Sequence, residues 1–117
     1  MTADPLEDLQ RREEALNETL RRGRLLTAYT TFYLATSQGG AADDRTRVLH
    51  FLQWADTFVG RVPVRNAVSD DRSYSQWEIP VSGGPPGSGT QLVTRRWRDG
   101  KVVQEWAIVR RELGKIA

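Results

Sequence analysis

The chain of 117 residues contains no cysteine and a single histidine, His50. Without cysteine there can be no disulfide, thiolate zinc site, iron–sulfur cluster or cysteine nucleophile. With one histidine, no two-histidine metal motif can be written. No metal-ligand spacing occurs, and there is no GxxxxGK loop to cradle a phosphate. Neither sign of charge dominates: 17 Lys+Arg stand against 15 Asp+Glu, a formal net charge of +2, too balanced to require a nucleic-acid partner. Long apolar runs are also missing. Nothing approaches the roughly 20 residues of a membrane span, and the opening MTADPLEDLQ is too acidic for a secretory signal. The expectation is a cytoplasmic protein with no cofactor, no nucleic acid and no membrane partner. The length suits one domain over 1–117. Apolar residues make up a modest 38%, offset by four Trp, each able to bury roughly 150–250 Å².

The first half has the marks of helices. In Asp4-Pro5-Leu6-Glu7, Asp4 can cap, Pro5 suits the first helical position and Glu7 can complete a capping box. Leu6, Leu9, Leu16 and Leu20 form a narrow apolar stripe, and Gly23 can close the helix in a left-handed conformation. RLLTAYTTFYLAT is rich in strand formers. Its apolar residues Leu25, Leu26, Tyr29, Phe32 and Tyr33 nevertheless fall within roughly 100° of one another at helical spacing. After a breaker-rich loop, SQGGAADD, a third helix over 44–59 carries Val48, Phe51, Leu52, Ala55, Phe58 and Val59 on one face. His50 lies about 140° from the centre of that stripe and is expected to be exposed.

From Arg61 the period changes to that of strands. VPVRNAVS, RSYSQWEIPVS, TQLVTRRWR and KVVQEWAIVRR are four candidates, with GGPPGSG a loop between the middle pair. Asp99-Gly100 specifies a two-residue type I′ hairpin pairing Arg98 with Lys101. Continued without interruption, that register sets Trp97 opposite Val102, Arg95 opposite Gln104 and Val93 opposite Trp106 on one face. Thr94 then lies opposite Glu105, and Leu92 opposite Ala107, on the other. Neither face is plainly polar, so helices should cover one and a second subunit the other. The basic residues Arg95, Arg96, Arg98 and Lys101 are expected to form a solvated tip.

RRWRDGKVVQEW resembles the closing hairpin of the SnoaL-like, nuclear transport factor 2-like superfamily. GRLLTAYTTFY resembles that family's second helix with its aromatic pair, and the helix 44–59 followed by VPVRNAVSDDRSYSQWEI resembles its third helix and middle strands. The resemblance covers most of residues 5–112. It implies an α+β, cystatin-like cone, with about three N-terminal helices packed on a curved antiparallel sheet of four or more strands. It also implies a pocket at the open end and homodimers through the outer sheet face. Members include polyketide cyclase-like and ketosteroid isomerase-like enzymes as well as non-catalytic interaction domains. The stretch after Tyr33 is shorter than in the family, so its first strand pair is reduced or absent. The family's Arg-x-Asp pair falls at Glu78 and Pro80, and its other acid positions at Ala107 and near Thr94, so none keeps the required residue type, which argues against epoxide hydrolysis by the usual arrangement.

The implied pocket is lined by Tyr29, Tyr33, Phe51, Ala55, Glu78, Thr94, Glu105 and Ala107. Glu78, flanked by Trp77 and Ile79, would be a desolvated acid or base if turned inward, and an ordinary surface carboxylate if turned outward. Glu105 is either a base held by Arg96 or half of a cross-strand ion pair. Tyr29 and Tyr33 are core aromatics or hydroxyl donors to a ligand. The expected activity is binding of a small apolar ligand, with cofactor-free isomerisation or cyclisation as the possible chemistry. The alternative is a non-catalytic dimerisation or interaction domain of the same fold.

Overall fold

In a computed structural model the described residues are 4–34, 44–79 and 89–111, without the side chains of Asp44 and Arg111. Pro80 and most of the two glycine-rich loops lie outside them. Helix α1, Pro5–Arg21, starts where Asp4 accepts a hydrogen bond from the Leu6 N–H at 2.9 Å, with Pro5 in the first turn. It closes at Gly23, whose φ is +75°. Helix α2, Leu25–Phe32, follows at once, as its spacing requires. The chain then extends, and Tyr33 forms a single parallel bridge with Val102, the Leu34 N–H donating to the Val102 carbonyl at 3.1 Å. Helix α3 spans Asp44–Ala55. The expected helix to residue 59 instead tightens into a 3-10 turn, Asp56–Phe58, before Gly60 at φ +76°. No described helix is long and apolar enough to cross a membrane.

The second half is an antiparallel meander in the order β1-β2-β3-β4: β1 Arg65–Ser69, β2 Arg72–Ile79, β3 Gly89–Arg98 and β4 Lys101–Arg111. Strand β1 starts later than expected, after Pro63, which has no N–H to give a ladder. The β3–β4 turn is the type I′ turn expected, with Asp99 at φ 51° and Gly100 at φ 76°. A Cβ on Gly100 would stand 2.8 Å from Arg12 Nη1, the far end of a side chain that can move aside. The backbone cannot yield in the same way. Gly100→Ala is therefore expected to lower stability by about 1 kcal/mol, read as a reduced urea midpoint.

The register beyond that turn corrects the expectation. Arg98–Lys101 and Trp97–Val102 pair as foreseen, but a bulge between Arg96 and Trp97 leaves Val103 over. From there Arg95 faces Glu105, Thr94 faces Trp106, Val93 faces Ala107 and Leu92 faces Ile108. One extra residue moves every β4 side chain past it to the opposite face. Glu105 thereby joins the face of Val93, Arg95 and Trp97, and Trp106 leaves it.

Helix α1 packs on β1 and β2, and α2 on β4, so this face of the sheet is covered except at the far end of β4, where Ala107 and Val109 are exposed. The core beneath is built from Leu9, Leu16, Leu20, Ala28, Phe51, Ala55, Phe58, Trp77, Val93, Trp97 and Val102. An aromatic chain runs through it: Tyr33–Phe51 at 4.9 Å, Phe51–Trp54 at 6.1 Å, Trp54–Phe58 at 4.9 Å and Phe58–Trp77 at 4.6 Å between ring centres. Tilted contacts of this kind each add about 0.5–1.5 kcal/mol beyond burial. The opposite, open face carries Tyr74, Leu92, Trp106 and Ile108, all exposed.

Candidate functional site

Two charged residues stand in positions that the packing reserves for apolar ones. Glu13 lies on the α1 stripe between Leu9 and Leu16, and Arg95 alternates with Val93 and Trp97 on β3. Both side chains are 0% exposed. A charge is found there only when it is paired and hydrogen-bonded. Arg95 Nη1 donates to Glu13 Oε1 at 2.7 Å and to Asn17 Oδ1 at 3.0 Å. Arg95 Nε donates to Glu105 Oε2 at 2.8 Å. Glu13 also accepts from Asn17 Nδ2 at 3.2 Å and, on Oε2, from the Ser73 hydroxyl at 2.6 Å. Ser73 in turn accepts from the Trp97 indole N–H at 2.8 Å. Tyr33 completes the cluster, its hydroxyl donating to Glu105 Oε2 at 2.6 Å. One guanidinium thus serves two carboxylates, and helix α1, the end of α2 and strands β2, β3 and β4 meet on it.

The electrostatics follow from this geometry. Burial pushes the Tyr33 phenol well above its ordinary value, and the negative charge of Glu105 adds to the shift. Tyr33 is therefore a donor throughout the neutral range. Burial alone would lower the Arg95 value, yet the charge of Glu13 above all, with that of Glu105, holds it well above the usual one. Because the folded-state value of Tyr33 exceeds the unfolded one near 10, its contribution is complete below about pH 10 and declines as pH rises toward the folded value. Tyr33→Phe is expected to cost about 1 kcal/mol at neutral pH. It should also remove up to about 1.4 kcal/mol per pH unit from the alkaline loss of stability, measured by urea unfolding between about pH 9 and 11.

The expected site residues do not all come together. Tyr33 and Glu105 come together, with Tyr29 and Phe51 beside them: Tyr29 stacks on Tyr33 at 6.0 Å, and Tyr29 and Phe51 meet at 5.0 Å. Ala55 is buried in the core behind them. Ala107 lies on the same sheet face, opposite Val93, and is exposed. Glu78 and Thr94 do not belong to this site. Ser73, Ser75, Trp77 and Ile79 take the buried positions of β2, so period two turns Glu78 outward. The same alternation on β3 buries Val93 and Arg95 and puts Thr94 on the open face. Arg96, foreseen as the holder of Glu105, instead pairs with Asp71 at 3.0 Å on the surface. Tyr33, considered as a donor to a ligand, donates to Glu105 instead. The solvated basic tip loses Arg95 to the interior, while Arg98 remains exposed. His50 is exposed.

No family model matches the chain, and no curated protein matches its sequence. Among solved structures, the chain is similar to TsrD from Streptomyces laurentii. The identity is 14% and the TM-score 0.55, over 92% of this chain and 91% of that one. At that identity the likeness concerns the α+β fold alone.

Glu13, Asn17, Ser73 and Arg95 are the members of the cluster that sequence reasoning missed. The signal was nonetheless there: Glu13 and Asn17 share the register of Leu9, Leu16 and Leu20. A carboxylate inside an apolar helical stripe and an arginine inside an apolar strand face are each anomalous, and together they predict a buried pair.

Proposed function

We propose that the chain is a SnoaL-like, nuclear transport factor 2-like cone that binds a small apolar ligand and meets it with Glu105. The supporting observation is the way this carboxylate is held. Arg95 Nε and the Tyr33 hydroxyl both bond Oε2, which orients the group and leaves Oε1 as the acceptor for a ligand. The side chain is 11% exposed, at the margin of the aromatic wall made by Tyr29, Tyr33 and Phe51. A positioned carboxylate beside apolar rings suits cofactor-free proton transfer, as in isomerisation or cyclisation. Ligand-observed NMR with a library of neutral aromatic compounds tests this reading. Hits are expected to bind the wild type and Glu78→Gln alike and to be lost or weakened about tenfold or more in Glu105→Gln. Equal binding by Glu105→Gln would refute the assignment.

The open sheet face favours a second property, self-association, which is also the basis of the alternative reading as an interaction domain. Tyr74, Leu92, Trp106 and Ile108 are 39%, 38%, 43% and 64% exposed. At the centre is a hollow of about 180 Å³ lined by Ala67, Tyr74, Leu92 and Thr94 among others. Arg72 and Glu78 stand on this face at opposite ends of β2. A second copy related by a two-fold axis running across β2 would bring each Arg72 toward its partner's Glu78, with the apolar centre between them.

A further inference from the structure

Strand β1 is one edge of the sheet, and its main-chain groups alternate in direction. The Trp97 N–H donates to the Asp71 carbonyl at 2.7 Å. That bond brackets Arg72 and Arg96 as a pair with no bonds between its own members, so the Arg72 main chain turns toward β1. At the other end the Val64 N–H donates to the Gln76 carbonyl at 2.7 Å, which agrees. Ser69, Ala67 and Arg65, opposite Arg72, Tyr74 and Gln76, therefore use their N–H and C=O groups on β2. Val68 and Asn66 point theirs outward, and among the described residues no backbone group answers them. Such an edge is a template for a further strand. The side chains of the same two residues lie on the helix face, and each lines a hollow beside α1. Val68 shares one of about 490 Å³ with Leu6, Glu7, Gln10 and Arg11. Asn66 shares one of about 130 Å³ with Glu14, Glu18, Arg21 and Arg61 among others. Two residues along a strand are roughly 7 Å apart, so the hollows repeat at the spacing of alternate side chains on an added strand.

We infer that β1 accepts an extended peptide, antiparallel to it, whose side chains enter the two hollows in turn. The first is apolar and lies beside Leu6 and Val68. The second, two residues on, is a lysine or arginine beside Glu14. Charge selects it. The Glu14 carboxylate accepts from the Gln10 amide at 2.8 Å and meets no cation among the described residues, whereas Glu18 is already held by Arg21 and Arg22. A second copy of β1 suits the groove poorly. Antiparallel pairing about Ala67 would set the partner's Asn66 in the apolar hollow and the partner's Val68 in the charged one. The occupant is therefore a different peptide, and it lies apart from both Glu105 and the open sheet face.

The test titrates a synthetic peptide, acetyl-Thr-Thr-Ile-Thr-Lys-Thr-Thr-amide, into the isotope-labelled full chain and follows backbone N–H signals by NMR. Those of Asn66 and Val68 are expected to shift, with a dissociation constant below about 1 mM. In the paired peptide the isoleucine and lysine turn their own N–H groups to β1, and the threonine between them turns its away. N-methylation of the isoleucine should therefore weaken binding about tenfold or more, and N-methylation of that threonine should not. Replacing the peptide's lysine by glutamate should weaken binding to the wild type about threefold or more. Glu14→Lys, at an exposed position, should reverse the preference. Should that variant fail to fold by circular dichroism, the two peptides on the wild type decide alone. Equal loss from the two N-methylations overturns strand addition, and equal binding of the lysine and glutamate peptides by the wild type overturns the choice of occupant. No shift at Asn66 and Val68 with about 1 mM peptide overturns both.

Discussion

Arg95→Met is expected to lower stability by about 3–5 kcal/mol, a large share of the roughly 5–15 kcal/mol that holds a domain together. Methionine fills much of the same volume, so the loss is not chiefly one of packing. What remains is Glu13, 0% exposed and facing Asn17 and Ser73 without a counter-charge. Glu105, at the edge, can turn toward water; Glu13 has no such route. Urea unfolding at pH 7 measures the effect, as a midpoint lower by about 1–5 M for a slope of 1–3 kcal/mol/M. A second substitution separates the charge from the fold. Glu13→Gln in the Arg95→Met background removes the unpaired ion and should recover part of the stability, whereas Glu13→Gln in the wild type should lower it. That change of sign is the signature of an ion pair. A loss below about 1 kcal/mol in Arg95→Met, within the range of a surface pair, would mean that the cluster contributes little to the fold.

The same cluster explains which parts of the molecule could be read from the chain alone. Helices α1 and α2 and the Asp99-Gly100 turn were legible because each is set by neighbours in sequence: a cap, an apolar period, a pair of positive φ angles. The pairing of Glu105 was not. It depends on the bulge that leaves Val103 over, and nothing in Lys101-Val102-Val103-Gln104 marks one valine as the extra residue. Without the bulge Glu105 falls opposite Thr94; with it, opposite Arg95. Glu78 was undetermined for a different reason. Period two separates it from Trp77 but does not name the inner side, and the two buried serines of β2 are poor advertisements for a core face. Glu13 and Arg95 were each disguised by ordinary surroundings, a charged helix and a run of arginines. Only their registers mark them as interior.

Ile108→Glu is expected to weaken the proposed self-association while leaving the subunit folded. At 64% exposure Ile108 contributes little to its own core, so the substitution should change the urea midpoint little. In a two-fold dimer the effect on assembly is doubled, because every residue of the face occurs on both sides. Two carboxylates would enter an apolar centre formed by Tyr74, Leu92 and Trp106. We expect the dimer dissociation constant to rise by about 100-fold or more, equivalent to about 2.7 kcal/mol, read by sedimentation velocity across a micromolar range. The orientation of the two copies is tested separately through charge. Arg72→Glu sets a carboxylate toward the partner's Glu78 and should weaken the dimer; adding Glu78→Arg restores opposite signs and should restore it, since the pair is exchanged rather than removed. A face that merely sticks through its aromatic residues would respond to Ile108→Glu and not to the exchange. A wild type that sediments as a monomer at tens of micromolar would remove the second copy altogether and leave the open face without an occupant.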